Sequence, residues 1–241
     1  MYPREKMKIY VLNDTSQKHA GCQATMKAFY NLLTDHKVIC KHYVGSKKLN
    51  MDRLHECDAV ICNGEGTMHH NGRSMMFLID ILRKAQALHK KTMLINSIWD
   101  SNVDVDDVLY KLDFISFREV LSQKSAGVGV VYPDLVFNNT YLVPKKTGED
   151  MIFTDKILPL VGDFQELINK MADCRMFMTS KYHGVILAII CKTPFIGMRL
   201  KTHKIEGLFK TVDTLKCSNV IKYYNDAPLL TKEIINEKLN D

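Results

Sequence analysis

The chain has 241 residues, 33 Lys and Arg against 27 Asp and Glu, a net charge of +6 and a sequence pI near 8.8, and it is 46% hydrophobic. This describes an ordinary globular protein of one large or two small domains. It excludes a transmembrane chain, because the longest apolar run, Val185 to Cys191, falls far short of the roughly 20 residues that cross a bilayer. The charge suits a polyanionic partner but stays below the pI above about 9 of a dedicated nucleic-acid domain. The opening MYPREKMK is charged where a signal peptide needs an apolar stretch, so a cytoplasmic protein is expected. Seven cysteines (22, 40, 57, 62, 174, 191, 217) form no C-x-x-C pair and are expected as buried, reduced thiols.

In chain order, KIYVLN (8–13) predicts a buried strand, and residues 21–36 have apolar positions at helical spacing. VICKHYV (38–44) and AVICNG (59–64) predict strands two and three, and 74–90 a long amphipathic helix. TMLINSI (92–98), FISF (114–117) and VGVVYP (128–133) continue the strand series with helix-sized spacers. Such alternation predicts a mostly parallel sheet with helices on both faces. Residues 137–150, rich in Asn, Thr, Pro, Lys and Gly, lack either period and predict a linker. Beyond it, DFQELINKMADC reads as a helix, RMFMTS a strand, KYHGVILAIIC a helix, PFIGM a strand and KIEGLFKTV a helix, followed by VIKYY and the tail LLTKEIINEKLN. The expected fold is α/β, two Rossmann-like parallel-sheet domains at 1–138 and 151–241, the second unusually small.

The segment TSKYHG (179–184) joins a strand to a buried helix. Thr179 and Ser180 are good N-caps, and Lys181 and His183 fall in the helix's first turn. A helix N-terminus at the carboxyl edge of a parallel sheet offers unpaired N–H groups and partial positive charge, so a cation and an imidazole there suggest a phosphate or carboxylate site. Gly184 permits close approach of a ligand or of the neighbouring strand. RLKTHKIEGLFK (199–210) brings Arg199, Lys201, His203, Lys204 and Lys210 to the same edge, with Glu206 placed to accept from ribose hydroxyls. The plainer reading makes Lys181 a solvated charge, His183 a packed side chain and Glu206 a first-turn acid.

These residues, in this order, resemble the polysaccharide pyruvyl transferase family, whose members have a GT-B-like pair of Rossmann domains. K-Y-H-G-V-I-L-A, T-P-F-I-G-M and K-T-H-K-I-E-G-L are similar to its C-terminal elements. H-A-G-C-Q-A-T, N-G-E-G-T-M-H-H, S-F-R-E-V-L-S and Y-P-D-L-V-F are similar to its N-terminal ones. In the first turn Gly21 lets the chain bend, with Asp14, Thr15 and His19 expected on an exposed loop. In the third, Gly64 and Gly66 free the backbone, with Glu65, His69 and His70 pointing into one crevice. Group transfer to a hydroxyl needs a proton acceptor, and Asp14, His19, Glu65 and His69 are the unranked candidates. Arg118 is a further polar residue of these loops. No third ligand at recognisable spacing accompanies the paired histidines, so no metal is expected.

The resemblance implies a transferase without a required cofactor. Where the family has an Arg, this chain has Lys181, and an ammonium matches a planar carboxylate less well than a guanidinium does. The first expectation is therefore sugar transfer from a nucleotide-sugar such as a UDP-sugar. Its diphosphate would rest on Ser180, Lys181, Tyr182 and His183, aided by His203 and Lys204, with Glu206 on the ribose. The acceptor would be a polymer, either a surface glycan or hydroxymethylated DNA of the kind tailed-phage enzymes decorate. The second expectation is ketal formation from phosphoenolpyruvate, and the third a non-catalytic nucleotide or nucleic-acid binding module.

Overall fold

The computed structural model describes residues 6–46, 48–145, 151–156, 158–171, 174–198, 201–214 and 227–240. In the first lobe strands β1 (Lys8–Asp14), β2 (Lys37–Tyr43), β3 (Ala59–Glu65), β4 (Lys91–Ser97), β5 (Phe114–Phe117) and β6 (Val130–Val131) alternate with helices. These are α1 (Ala20–Leu32), α2 (Met51–Glu56), α3 (Arg73–Ala87), α4 (Asp106–Leu109) and α5 (Val120–Ala126). The six strands lie in the order β2-β1-β3-β4-β5-β6 with every pairing parallel. All seven residues of β3 are buried, as a strand covered by helices on both faces requires. The winding reverses at β1, between β2 and β3, which opens a crevice beyond the carboxyl ends of β1 and β3. The expected sixth strand shrinks to two residues, because Gly129 sits at φ +81° with the Phe117 and Ile115 side chains where its Cβ would be.

The second lobe contains β7 (Met151–Thr154), α6 (Phe164–Met171), β8 (Cys174–Thr179), α7 (Tyr182–Ile190), β9 (Phe195–Gly197) and α8 (Lys204–Thr214), with a parallel sheet β7-β8-β9. Strand β7 was not anticipated: its four residues are too few to show a period. Helix α7 is apolar on every side and all nine of its residues are buried. Its core also takes in Ala20, Ala24, Val136 and Phe137 of the first lobe, so the lobes share apolar packing. VIKYY lies outside the described residues.

Three later parts of the chain pack on the first lobe. The start of the expected linker is anchored, since Asn139 Nδ2 donates to the Ala24 carbonyl at 2.9 Å and the Tyr141 hydroxyl to that of Val136 at 3.2 Å. The last helix, α9 (Lys232–Asn240), was read with the second lobe, but Leu230, Ile235 and Leu239 pack with Ile9, Val11 and Phe29 against the first sheet. Helix α8 lies against α5, where the Val120 amide donates to Thr211 Oγ1 at 2.8 Å. Among the described residues no helix is long and apolar enough to cross a membrane.

Candidate active site

Strand β3 delivers Glu65 to the crevice in a left-handed conformation, φ +39°, which costs a non-glycine residue about 1–2 kcal/mol. Hydrogen bonds hold it there. Thr15 Oγ1 donates to Glu65 Oε2 at 2.6 Å, Asn63 Nδ2 to the same oxygen at 3.3 Å, and the Cys22 thiol to Oε1 at 2.8 Å. His19 caps α1, its Nδ1 accepting from the Cys22 amide at 3.4 Å. That leaves the ring proton on Nε2, which faces Cys22 Sγ at 3.3 Å. The donors thus run in one direction, from His19 through Cys22 to Glu65, with the carboxylate as terminal acceptor. Burial alone would raise the Glu65 pKa, yet the Cys22 and Thr15 hydrogen bonds and the nearby Arg118 charge hold it below the ordinary carboxylate range. Burial and Glu65 push the Cys22 thiol well up, so it stays protonated.

From the other lobe His183 enters the same space. Its Nε2 is 3.9 Å from Glu65 Oε1, 3.9 Å from Asp134 Oδ2 and 3.5 Å from Thr25 Oγ1. Burial lowers its pKa to about 3, against the pull of Glu65, so the imidazole is neutral; Glu65 therefore owes its ionised state to its hydrogen bonds and Arg118 rather than to a charged His183. Gly21 makes room for this ring, since a Cβ there would lie 2.3 Å from His183 Cγ.

Arg118 is 1% exposed. Its Nη1 donates to Asp134 Oδ2 at 2.9 Å, its Cζ lies 4.0 Å over the Tyr182 ring, and its buried Nε has no hydrogen-bond partner among the described residues. Burial works against the charge, but Tyr182, Asp134 and Glu65 more than offset it. Lys204, at the start of α8, is pushed down to about 8 by burial and then by Arg118. These groups enclose a cavity of about 500 Å³ between the lobes. His19, Glu65, Gly66 and Arg118 line it from the first lobe, and Asp155, Ser180, Lys181, Tyr182, His183 and Lys204 from the second. Three cations, Arg118, Lys181 and Lys204, converge there against the carboxylates of Glu65 and Asp155, which leaves the lining net positive and favours an anion.

The sequence profile of the family described as polysaccharide pyruvyl transferase matches residues 19–201, most of the chain. The chain belongs to this family. As a member it is a transferase, and the family's chemistry is group transfer on polysaccharide. Among solved structures it is similar to a functionally uncharacterised protein from Klebsiella pneumoniae, 15% identical, with 90% of this chain and 91% of that one covered at a TM-score of 0.59; that likeness concerns the fold. No curated protein matches it.

Several expected site residues lie elsewhere in this family member. Asp14 is not exposed on its loop: it is 0% exposed, and the Tyr30 hydroxyl and the Ser16 amide donate to it. His69 and His70 do not share the crevice with Glu65; they face each other, Nδ1 to Nδ1 at 3.1 Å, beside Asp100. His203 turns to first-lobe acids, 3.3 Å from Asp100 Oδ2 and 3.2 Å from Glu119 Oε1. The Glu119 hydrogen bond raises its pKa. Glu206 is not among the cavity-lining residues. Lys181, not Thr179 or Ser180, is the N-cap of α7, without a side-chain cap bond. The amide and hydroxyl of Ser180 donate instead to Asp155 Oδ2 at 2.9 and 3.0 Å, and Thr179 Oγ1 donates to Oδ1 at 2.5 Å. Gly184 admits Thr179 of the adjacent strand, and Gly64 backs onto Ser97, whereas the Cβ position of Gly66 comes no nearer than 3.7 Å to Arg118 and faces the cavity. Arg199 lies outside the described residues.

Cys22, Asp134 and Asp155 escaped the sequence reading as site residues. Cys22 and Asp134 lie within H-A-G-C-Q-A-T and Y-P-D-L-V-F, so a signal existed, but only the fold shows what each touches. The fold also brings one donor atom each of His19, Cys22 and His183 within 4.8 Å of one another, close enough to share a metal ion, which no sequence spacing suggested.

Proposed function

We propose that the enzyme transfers the pyruvyl group of phosphoenolpyruvate to two hydroxyls of a polysaccharide sugar, forming a ketal and releasing phosphate. The reading rests on Arg118. The guanidinium missing at position 181 is supplied by the first lobe, rigidly held by Asp134 and Tyr182 in the cavity wall, and suits the donor's planar carboxylate. Lys181 and Lys204 then face the phosphate. A nucleotide-sugar is less well served, because Glu206, the expected ribose partner, is off the cavity. The cavity's size favours keeping sugar transfer as the second reading, since about 500 Å³ exceeds what phosphoenolpyruvate fills. In this proposal residues 1–138 present the acceptor and residues 151–241 contribute most of the donor contacts.

Glu65 accepts the proton of the first acceptor hydroxyl as its oxygen bonds to C2, and passes that proton to C3, completing addition across the enol double bond. The C2–O bond to phosphate then breaks, the electron pair leaving with a phosphate neutralised by Lys181 and Lys204. The second hydroxyl closes on the resulting oxocarbenium carbon, its proton going to the departing phosphate.

Calorimetric titration with phosphoenolpyruvate and UDP-glucose separates the readings, and the product mass decides between them. The expected product is the acceptor plus one pyruvate less water; gain of a hexose would overturn the proposal. The affinity carries a pH signature as well. Lys204 is charged below about 8, so phosphoenolpyruvate affinity is expected to hold below that pH and fall above it by at most about tenfold per unit, as the proton that the bound anion favours is lost. Lys204→Arg should flatten the profile, and an unchanged slope in that variant would remove Lys204 from the donor site.

A further inference from the structure

Arg118 and Lys204, which line the donor cavity from opposite lobes, each have a chain neighbour that turns away from it, Glu119 and His203. Glu119 has an extended backbone, φ −161° and ψ 157°, which sends successive side chains to opposite sides. The two neighbours meet outside the cavity. Glu119 is 0% exposed and fixed as the N-cap of α5, its Oε2 accepting from the Leu121 amide at 2.7 Å and its Oε1 from the Ser122 amide at 2.9 Å. Helix α8 closes over it. A Cβ on Gly207 would collide with the Glu119 carboxylate, so a glycine is what lets the helix backbone approach. One turn earlier His203 Nε2 lies 3.2 Å from Glu119 Oε1 and 3.3 Å from Ser122 Oγ, while its Nδ1 lies 3.3 Å from Asp100 Oδ2. A carboxylate on each ring nitrogen calls for a proton on each, which is the imidazolium. The Glu119 hydrogen bond outweighs burial and, with the fields of Asp100 and Glu206, raises the His203 pKa accordingly.

We infer that His203 is a positioning residue of the donor site: gripped by Glu119 and Asp100 of the first lobe, it seats the first turn of α8 so that Lys204 reaches into the cavity beside Arg118. Lys204 needs such a seat. Burial, Arg118 and Lys181 all oppose its charge there, and an ammonium on a flexible stem would otherwise swing out to water. His203 supplies the opposing attraction, a second cation one residue away held by charge-assisted bonds to two acids. This role deepens the proposed donor site and rests on it for the identity of the anion, whereas the placement of Lys204 can be read with no donor present.

The test follows the Lys204 side chain by NMR in the whole protein labelled with ¹³C-lysine, its signal assigned by its loss in Lys204→Arg. In the wild type it is expected to titrate at about 8. His203→Ala should raise that midpoint by about one pH unit or more, toward free lysine, because the ammonium leaves the cavity. His203→Arg restores a cation that can reach both carboxylates and should bring the midpoint back. Gly207→Ala pushes α8 off Glu119 with His203 still present, and should act as His203→Ala does. An unchanged Lys204 midpoint in either alanine variant, with its melting transition intact, would overturn the assignment. So would a wild-type His203 ring that titrates at or below the ordinary histidine value, a measurement that needs no variant. In turnover, His203→Ala should raise the phosphoenolpyruvate KM by about tenfold with kcat within about twofold, and a loss of kcat at unchanged KM would also overturn the role. If the wild type binds no phosphoenolpyruvate, the donor proposal falls and the Lys204 midpoint still decides what His203 does.

Discussion

Glu65→Gln is expected to lower turnover by about 10²- to 10⁴-fold while phosphoenolpyruvate binds with nearly wild-type affinity. The amide keeps the size of the side chain and an oxygen to accept from Thr15 or Cys22, but it cannot take the hydroxyl proton. The charge removed is negative, so the anionic donor loses no partner. Single-turnover rates paired with calorimetric affinities check both halves. A comparable loss in each, or a variant as fast as the wild type, would remove Glu65 from the role of base. The wild-type pH profile gives a second check. With its carboxyl held below the ordinary range, activity should persist as pH falls through about 4 to 5 and fail only when Glu65 itself is protonated.

Arg118→Ala should be the most damaging substitution to the fold and should also abolish donor binding. It leaves Asp134, 0% exposed, as an uncompensated buried charge, which costs about 3–5 kcal/mol. Denaturant midpoints of the single variant and of Arg118→Ala/Asp134→Ala distinguish the two effects. The double variant should recover much of the stability, because no lone charge stays buried, and none of the phosphoenolpyruvate affinity. If the single variant unfolds at the wild-type midpoint, the ion pair does not offset the burial of Asp134. If the double variant regains donor binding, the carboxylate of phosphoenolpyruvate is held elsewhere.

The fold was legible where periodicity was strong. Strands β1 to β5 and helices α1, α3, α7 and α8 fall close to their expected bounds, because continuous apolar runs and 3.6-residue spacing survive packing. Short elements such as β6 and β7 carry too few residues to show a period, and their limits depend on Gly129 and on pairing with β8. Helix α9 has an amphipathic pattern, but no pattern states which lobe its apolar face will meet.

The sequence by itself determined that this chain alternates strands and helices into parallel sheets, that it carries its family's motifs, and that glycines and polar residues gather at the carboxyl ends of the strands. Local spacing dictates those features. Only the tertiary structure decided which of the polar residues meet. Asp14 and Glu65 end neighbouring strands, yet one is spent on Tyr30 and the other faces the cavity. Arg118 and Lys204, 86 positions apart, become neighbours because α8 packs on α5. The physical reason is that a site charge is defined by its desolvation and its partners, and both come from contacts between segments that no local pattern encodes.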